Sequence, residues 1–479
     1  MSIRNQIGIT SSFFYDSGQR LSEKCAVFGA YNVGPEAAKM AYYGLLALQH
    51  RGQENSGIVS THDGMFYRHS APGLVSNVYH EKDLEQLPGT SVIGHNRYST
   101  SGADNDAHAQ PILHRNSGFA FAHNGNIPDT EKLETFLHAR NIATDSLNDS
   151  EMMAAAIGQY IQEGVTLEHA IMRAFPLLTG AFSAVALNAE QLVAFRDQCG
   201  IRPLSIGRLG DGYVIASETC AFDTIGARFM RDVRPGELVV INQHGLTSHQ
   251  VVKSNPKLDI FELIYFARPD SVIAGMSVNQ VRQNLGKELA LQYPIDADIV
   301  VPIPDSAIPA AIGYAQASDV PFEMGLIKNR YIHRTFIRPS QSIREQDVKL
   351  KLNPLPHVLK DKRIVLIDDS IVRGTTTHKI AELMYRAGAR SIHLLVSSPP
   401  VKYPDFYGIN LPTNTDLIAA SMTVSEICKR IGVDSLGYLS YDGMICATGR
   451  PAHYFSTSCF NGVYPIPIGK HAASRKIVD

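Results

Sequence analysis

Hydrophobic and polar positions change their rhythm about halfway along the chain. From Cys25 to about Val252 short alternating or apolar runs dominate, among them Ala26 to Ala30, Ser91 to Gly94, Phe119 to Ala122, Ala181 to Leu187 and Tyr213 to Ala216. Such runs predict antiparallel strands. His62-Asp63-Gly64 and Gly210-Asp211-Gly212 are candidate hairpin turns, because Asp and Gly tolerate the positive φ that tight hairpins need. Helical spacing interrupts the strands at Glu36 to His50 and at Ser150 to Glu163. The expected architecture is α+β, a sandwich of stacked antiparallel sheets between helix layers. Beyond about Leu258 strand and helix alternate: Asp298 to Ile303, a helix around Ile308 to Gln316, Ile364 to Asp368, a helix carrying Ile380, Leu383, Met384 and Ala387, and Ile392 to Val396. That half is expected to be α/β with a mainly parallel sheet. Lys253 to Lys257, with Asn255 and Pro256, is the most linker-like break, so residues 25–257 and 258–479 are expected to be separate domains.

One run sharpens the second half. Ile364 to Thr377 reads IVLIDDSIVRGTTT. Its unbroken apolar start suits a strand covered on both faces, and the carboxylates of Asp368 and Asp369 cannot stay ionised inside that core without compensation. The strand should therefore end at the pair, on the carboxyl edge of a parallel sheet, where open α/β folds place ligands. Ser370, Gly374, Thr375 and Thr376 then offer hydroxyls and free backbone N–H groups at a helix N-terminus, which suits a phosphate monoester. No Gly-Lys-Ser/Thr follows, which disfavours a nucleoside triphosphate cradle. A phosphate beside two acids suggests ribose hydroxyls and a magnesium ion, Mg2+. Plain capping of a helix is the alternative.

At 479 residues the chain can hold two or three domains, each with its own core. A formal net charge of -2 supplies no basic field for nucleic acid and no polybasic membrane signal. Cys25, Cys199, Cys220, Cys428, Cys446 and Cys459 are scattered, without a CxxC pair or zinc-like spacing, as suits a reducing, cytoplasmic setting. No window reaches the apolar length of a membrane span, and Met1 to Lys24 is too polar for a secretory signal.

Cys25 opens the stretch CAVFGAY, and a single Cys at a strand start is ordinarily packing. The chain also carries Leu48-Gln49-His50-Arg51-Gly52-Gln53-Glu54, Gly94-His95-Asn96-Arg97-Tyr98-Ser99-Thr100, His123-Asn124-Gly125-Asn126 and Asn148-Asp149-Ser150-Glu151. Together these resemble the N-terminal-nucleophile (Ntn) glutaminase domain of glutamine amidotransferases. Amide hydrolysis needs a nucleophile, a base and donors for the oxyanion. The resemblance implies that Cys25 is the nucleophile and that its own α-amine, with a reference pKa of about 8, is the base. That requires removal of residues 1–24 as a propeptide. It further implies that Asn124 and the Gly125 N–H form the oxyanion hole, that Arg97 pairs with the glutamine carboxylate and that Asp149 takes its α-ammonium. Taken singly, Arg97 could be a surface ion pair, Asn124-Gly125 a type I′ turn and Asp149 a helix N-cap. Three positions depart from the common pattern of these relatives: Ala26 where Gly is frequent, Asn96 where Val or Thr is, and Lys24 where processed chains often carry an acid.

Ile364 to Thr377 resembles the phosphoribosyl diphosphate (PRPP) signature of type I phosphoribosyltransferases. By that resemblance Asp368 and Asp369 meet the ribose hydroxyls and the metal, while Ser370, Arg373, Gly374, Thr375 and Thr376 hold the 5-phosphate. A glutaminase followed by such a half resembles the glutamine PRPP amidotransferases of purine synthesis, from about Cys25 to Gly469. Arg268-Pro269-Asp270-Ser271, Pro304-Asp305-Ser306, Gly325 to Tyr331 and the run FIRPSQSIREQ from Phe336 to Gln346 strengthen it. Ser306 is then a magnesium ligand, although a hydroxyl after a strand could equally cap the next helix. Lys328 to Lys351 reads as a basic loop able to close over a polyphosphate, Lys328 among its PRPP contacts, or else as a solvated loop. The family implies glutamine and PRPP as substrates, a homotetramer and inhibition by purine nucleotides. Some members hold a four-cysteine iron–sulfur cluster. Ile260, Asp405 and Ser456 stand where its ligands are expected, so none is expected here. The competing readings are another amidotransferase of the same glutaminase class and a non-catalytic PRPP sensor. The first lacks the acidic pair and phosphate loop, and the second has no use for a complete glutaminase set.

Overall fold

The computed structural model describes residues 25–97, 109–329, 352–409 and 417–469. The leader 1–24, residues 98–100 of the Arg97 motif, and residues 330–351, which carry most of the expected basic loop and the whole FIRPSQSIREQ run, lie outside the described residues.

The alternating runs of the first half form β1 (Cys25–Tyr31), β2 (Asn55–His62), β3 (Met65–Pro72) and β4 (Ser91–Arg97). Next come β5 (Ile112–His114), β6 (Phe119–Asp129), β7 (Thr179–Leu187) and β8 (Gln191–Arg196). The last are β9 (Ser205–Leu209), β10 (Gly212–Ala216), β11 (Arg228–Asp232), β12 (Glu237–Asn242) and β13 (Gly245–Gln250). Two antiparallel sheets result, ordered β11-β9-β10-β1-β4-β2-β3 and β13-β12-β8-β7-β6-β5. Because side chains alternate across a strand, one set of residues can face the other sheet. Val27, Val59, Ile93 and Ile215 of the first thus pack on Ala120, Ala122, Val185 and Val239 of the second. Outer faces are covered by helices: Ala37–Ala47 on the first, through Ala41 and Leu45 against Phe28 and Ile58, and Asp149–Gln162 with Leu167–Ala174 on the second. This is the expected helix–sheet–sheet–helix sandwich. The β2–β3 hairpin turns on Asp63 (φ 50°) and Gly64 (φ 75°), and the β9–β10 hairpin uses Gly210 (φ 57°), as Asp-Gly and Gly-Asp allow.

In the second half, Ile299–Pro302, Arg363–Asp368, Ser391–Val396 and Ser435–Tyr438 line up in that order as a parallel sheet. Val300, Val365 and Ile367 face Leu285, Leu289 and Tyr314 on one side. Ile364 and Leu366 face Ile380, Met384, Ile427 and Ile431 on the other. Coverage of both faces accounts for the unbroken apolar run. The helix Val278–Gln292 has no counterpart in the sequence reading. Its buried stripe of Val278, Val281, Leu285 and Leu289 has helical spacing, but a buried arginine, Arg282, interrupts it.

The Lys253–Lys257 stretch has no regular secondary structure, yet it is tied to the first half, Asn255 N donating to Gln198 O at 3.0 Å and Lys257 N to Cys199 O at 2.7 Å. The halves also share buried chemistry. Ala181, Cys199 and Ile201 pack with Tyr407. Arg202 Nη1 lies 3.1 Å from Glu262 and 3.3 Å from Asp259, and its Nε donates to Tyr407 O at 3.2 Å. No helix among the described residues is long and apolar enough to cross a membrane.

Candidate active sites

The first site forms where the sandwich opens. β4 lies between β1 and β2, and Arg97 is the Cα partner of both Cys25 and Asn55. The expected nucleophile and the expected carboxylate-binding arginine are therefore neighbours at one end of the sheet. Two residues back along β4, His95 Nε2 meets the carbonyl oxygen of His123 on β6 at 3.1 Å. That contact brings the Cys25–Arg97 end of one sheet to the stretch of the other that continues into Asn124 and Gly125.

Asn124 and Gly125 are not a type I′ turn. Both lie within β6, opposite Ser183 and Phe182 of β7. Gly125 has φ 145°, and a Cβ there would sit 2.0 Å from the carbonyl oxygen of Ala181, so only glycine fits. The Asn124 side chain is buried, and among the described residues its Nδ2 has no acceptor. A buried donor held in place by its strand suits the oxyanion role expected of Asn124. Asp149 is not the cap of its helix either: Asn148 takes that role, accepting from Glu151 N at 2.9 Å. Asp149, one residue on, accepts from Ile127 N at 3.1 Å and from Ser150 N at 2.8 Å. Its carboxylate is thus tied to β6 two residues beyond Gly125 and stays partly open to solvent. Supporting residues to which the sequence reading gave no role are Gln110 and Ser150, the latter within the Asn148–Glu151 motif. Gln110 accepts from His123 N at 2.7 Å, and Ser150 Oγ lies 3.1 Å from Gln110 Nε2 and 3.0 Å from His123 Nδ1.

The second site sits at the carboxyl edge of the parallel sheet. The strand Arg363–Asp368 ends at the acidic pair, as the burial argument requires. Asp368 and Asp369 are only 5% and 4% exposed, and hydrogen bonds compensate. Asp369 N donates to Asp368 Oδ1 at 3.0 Å, Ser370 Oγ donates to Asp369 Oδ1 at 2.6 Å, and Ser306 Oγ donates to the other Asp369 oxygen. Ser306 caps no helix: it lies in the turn after Ile299–Pro302, two residues before the helix Ile308–Ser318. Asp368 through Thr377 line one small concavity, with Gly374 at φ 73° delivering the chain into the helix Thr375–Arg386. Lys328 ends the strand Leu326–Lys328, and its Nζ pairs with Asp305 at 2.8 Å, beside Ser306. So Ser306, Lys328, Asp368, Asp369, Ser370, Arg373, Gly374, Thr375 and Thr376 gather at one edge, whereas the rest of the basic loop lies outside the described residues.

A buried ionic cluster lies between the halves. Arg51 donates to the carboxylates of Glu218 and Glu262, and Glu218 also takes His50 Nε2 at 2.6 Å and Ser271 Oγ at 2.6 Å. Burial alone would raise the Glu218 carboxyl, but Arg51 and then His50 hold it well below the usual range, so it stays charged. The available signal in the sequence was an acid inside an apolar run, Ile260-Phe261-Glu262-Leu263-Ile264.

Two family models match successive parts of the chain. A family model described as a glutamine amidotransferase domain matches residues 95–224, and one described as a phosphoribosyl transferase domain matches residues 275–399. The fold and the two sites thus define a glutamine amidotransferase joined to a phosphoribosyltransferase. The amidophosphoribosyltransferase of Synechocystis sp. is 48% identical over 463 residues, covering 95% of this chain and 94% of that one. Its counterpart in Bacillus subtilis is 43% identical over 456 residues, 94% of this chain and 95% of the relative. A solved glutamine PRPP amidotransferase from B. subtilis, complexed with ADP and GMP, superposes with a TM-score of 0.87 at 42% identity, covering 93% of this chain and 98% of that one. The chain belongs to the amidophosphoribosyltransferase family.

Proposed function

We propose that this chain hydrolyses glutamine at Cys25 and delivers the ammonia to PRPP, giving 5-phospho-β-D-ribosylamine, pyrophosphate and glutamate, the first step of de novo purine synthesis. What carries the proposal is that one chain sets Cys25 beside Arg97 at a sandwich end and Ser306 on Asp369 at a parallel-sheet edge. Residues 25–257 act as the glutaminase and residues 258–479 as the phosphoribosyltransferase.

Arg97 takes the glutamine carboxylate and Asp149 the α-ammonium, which sets the side-chain amide before Cys25. The Sγ–C bond forms first as the α-amine of Cys25 takes the thiol proton and the amide oxygen becomes an oxyanion; the carbonyl then re-forms as the C–N bond breaks and the amine returns the proton to the leaving ammonia. Asn124 Nδ2 and the Gly125 N–H hold the oxyanion. Water then hydrolyses the thioester to glutamate. The amine is available only once residues 1–24 are gone, and intact-mass measurement of the mature protein should find Cys25 at its N-terminus.

At the second site Ser370, Arg373, Gly374, Thr375 and Thr376 hold the 5-phosphate, and Asp368 and Asp369 meet the ribose hydroxyls. Ser306, Asp368 and Asp369 are all oxygen donors, which suits Mg2+. No group of three or more His, Cys, Asp or Glu stands ready for a metal among the described residues, so substrate and water oxygens would complete the shell. Bound there, the cation offsets charge developing on the departing pyrophosphate. Lys328 adds a positive charge at the same edge. The ammonia lone pair attacks C1 as the bond from C1 to the pyrophosphate oxygen breaks.

No iron–sulfur cluster belongs to this proposal: Cys459 is buried in the hydrophobic core of the second half, and Asp405 accepts from Tyr407 N and Ile409 N. We further propose a cytoplasmic homo-oligomer, a tetramer by family analogy, inhibited by purine nucleotides, without nucleic-acid or membrane partners; the ADP and GMP held by the B. subtilis relative support the nucleotide part. The assay is release of glutamate and pyrophosphate. Each should require both glutamine and PRPP at full rate, and a protein that binds PRPP but releases neither would be a sensor instead.

A further inference from the structure

Residues 52–54 bracket the peptide that leads into Arg97. A Cβ on Gly52 would lie 2.7 Å from the carbonyl carbon of Asn96 and 2.9 Å from Arg97 N, and Glu54 N donates to Arg97 O at 3.0 Å. What anchors this segment is Arg51, whose guanidinium is fully buried. Its Nε bonds Glu218, its Nη2 bonds Glu262, and its Nη1 lies 3.4 Å from the second Glu262 oxygen. Glu218 belongs to the first half of the chain. Glu262 comes from the second, at the start of a π-helical turn, Glu262–Phe266. That turn is held in place by Arg282 of the helix Val278–Gln292, which donates to Leu263 O and Ala267 O at 2.8 Å each. Asp369 and Glu262 are both among the charges that act on the Arg282 guanidinium.

We propose that Glu262 is a positioning residue of the glutaminase site: through Arg51 it seats Gly52 on the Asn96–Arg97 peptide and so sets where the Arg97 guanidinium meets the glutamine carboxylate. This rests on Arg97 as the carboxylate-binding residue, and it makes an acid of the phosphoribosyl half a determinant of glutamine affinity. The chemistry follows from the desolvated pair. Arg51 lies between Glu218, which His50 shares, and Glu262, which Arg202 shares, and neutralising Glu262 leaves the Arg51 cation drawn to Glu218. The backbone at Gly52 moves with it, and there is no slack against Asn96.

Steady-state kinetics of the full chain test this with Glu262→Gln, Arg51→Lys and Gly52→Ala. Each should raise KM for glutamine at least about five-fold, a loss of binding shared by ground and transition states, with kcat within about two-fold. Pyrophosphate release from PRPP with ammonium chloride should stay within about two-fold of the parent, because that route bypasses Arg97. Gly52→Ala perturbs the same peptide without touching the ion cluster, so the proposal stays testable if the charge variants do not fold. Unchanged KM for glutamine in folded Glu262→Gln or Gly52→Ala protein overturns the proposal, as does an equal loss of the ammonia route. Arg97→Lys separates the two layers. If it too leaves KM for glutamine unchanged, the role of Arg97 falls; if it alone raises KM, only the positioning role of Glu262 falls.

Discussion

A buried amide donor with no acceptor destabilises a fold by about 1–3 kcal/mol, and among the described residues Asn124 Nδ2 has none, next to a glycine that no other residue can replace. The cost is explained if an oxyanion arrives there during turnover. Asn124→Ala should therefore lower kcat for glutamine by about 10²–10³-fold, leave the ammonia route intact and not lower the melting temperature. Parallel loss of both routes would count against the assignment. At the other site, Asp368→Asn combined with Asp369→Asn should impair glutamine-dependent and ammonia-dependent pyrophosphate release alike, since both need the bound sugar. Asp368, Asp369 and Ser370 were legible in the sequence because one apolar strand must end where two carboxylates begin. Glu262 was not, because its meaning depends on Arg51, 211 positions away.

Strands explain why separate motifs converge. β1 and β4 align Cys25 with Arg97, and the contact between His95 and the His123 carbonyl sets β4 against β6. Burial, with Arg97 adding to it, lowers the His95 imidazole to about 3, so it is neutral in the fold. The unfolded imidazole takes its proton near 6.5, so between those values the unfolded chain binds more protons. Stability from this residue is therefore complete above pH 6.5 and declines as pH falls toward 3, by about 2 kcal/mol at pH 5. Denaturant unfolding at pH 7.5 and 5 should show that loss in the parent and a smaller one in His95→Gln, which cannot titrate. An equal loss in both would assign the effect elsewhere. The hairpin turns were legible because Asp63-Gly64 and Gly210 need only local φ. Asn124-Gly125 looked like a turn for the same reason, yet the glycine answers to the Ala181 carbonyl on a neighbouring strand, and no local pattern records such an approach.

At the scale of the molecule, two chemistries share one chain, joined by buried charges rather than by a loose tether. The change in rhythm near Leu258 foretold two architectures, α+β and then α/β. It did not foretell how the halves meet, because Arg202, Glu262, Asp259 and Tyr407 come from segments far apart in sequence. The division of labour has a direct test. Purified Cys25→Ala protein is given PRPP and Mg2+ with either glutamine or ammonium chloride, and pyrophosphate release is measured. Two coupled sites require that release with glutamine vanish while release with ammonium persists near the parent rate. Loss of both, or continued release with glutamine, would contradict the two-site chemistry at its root.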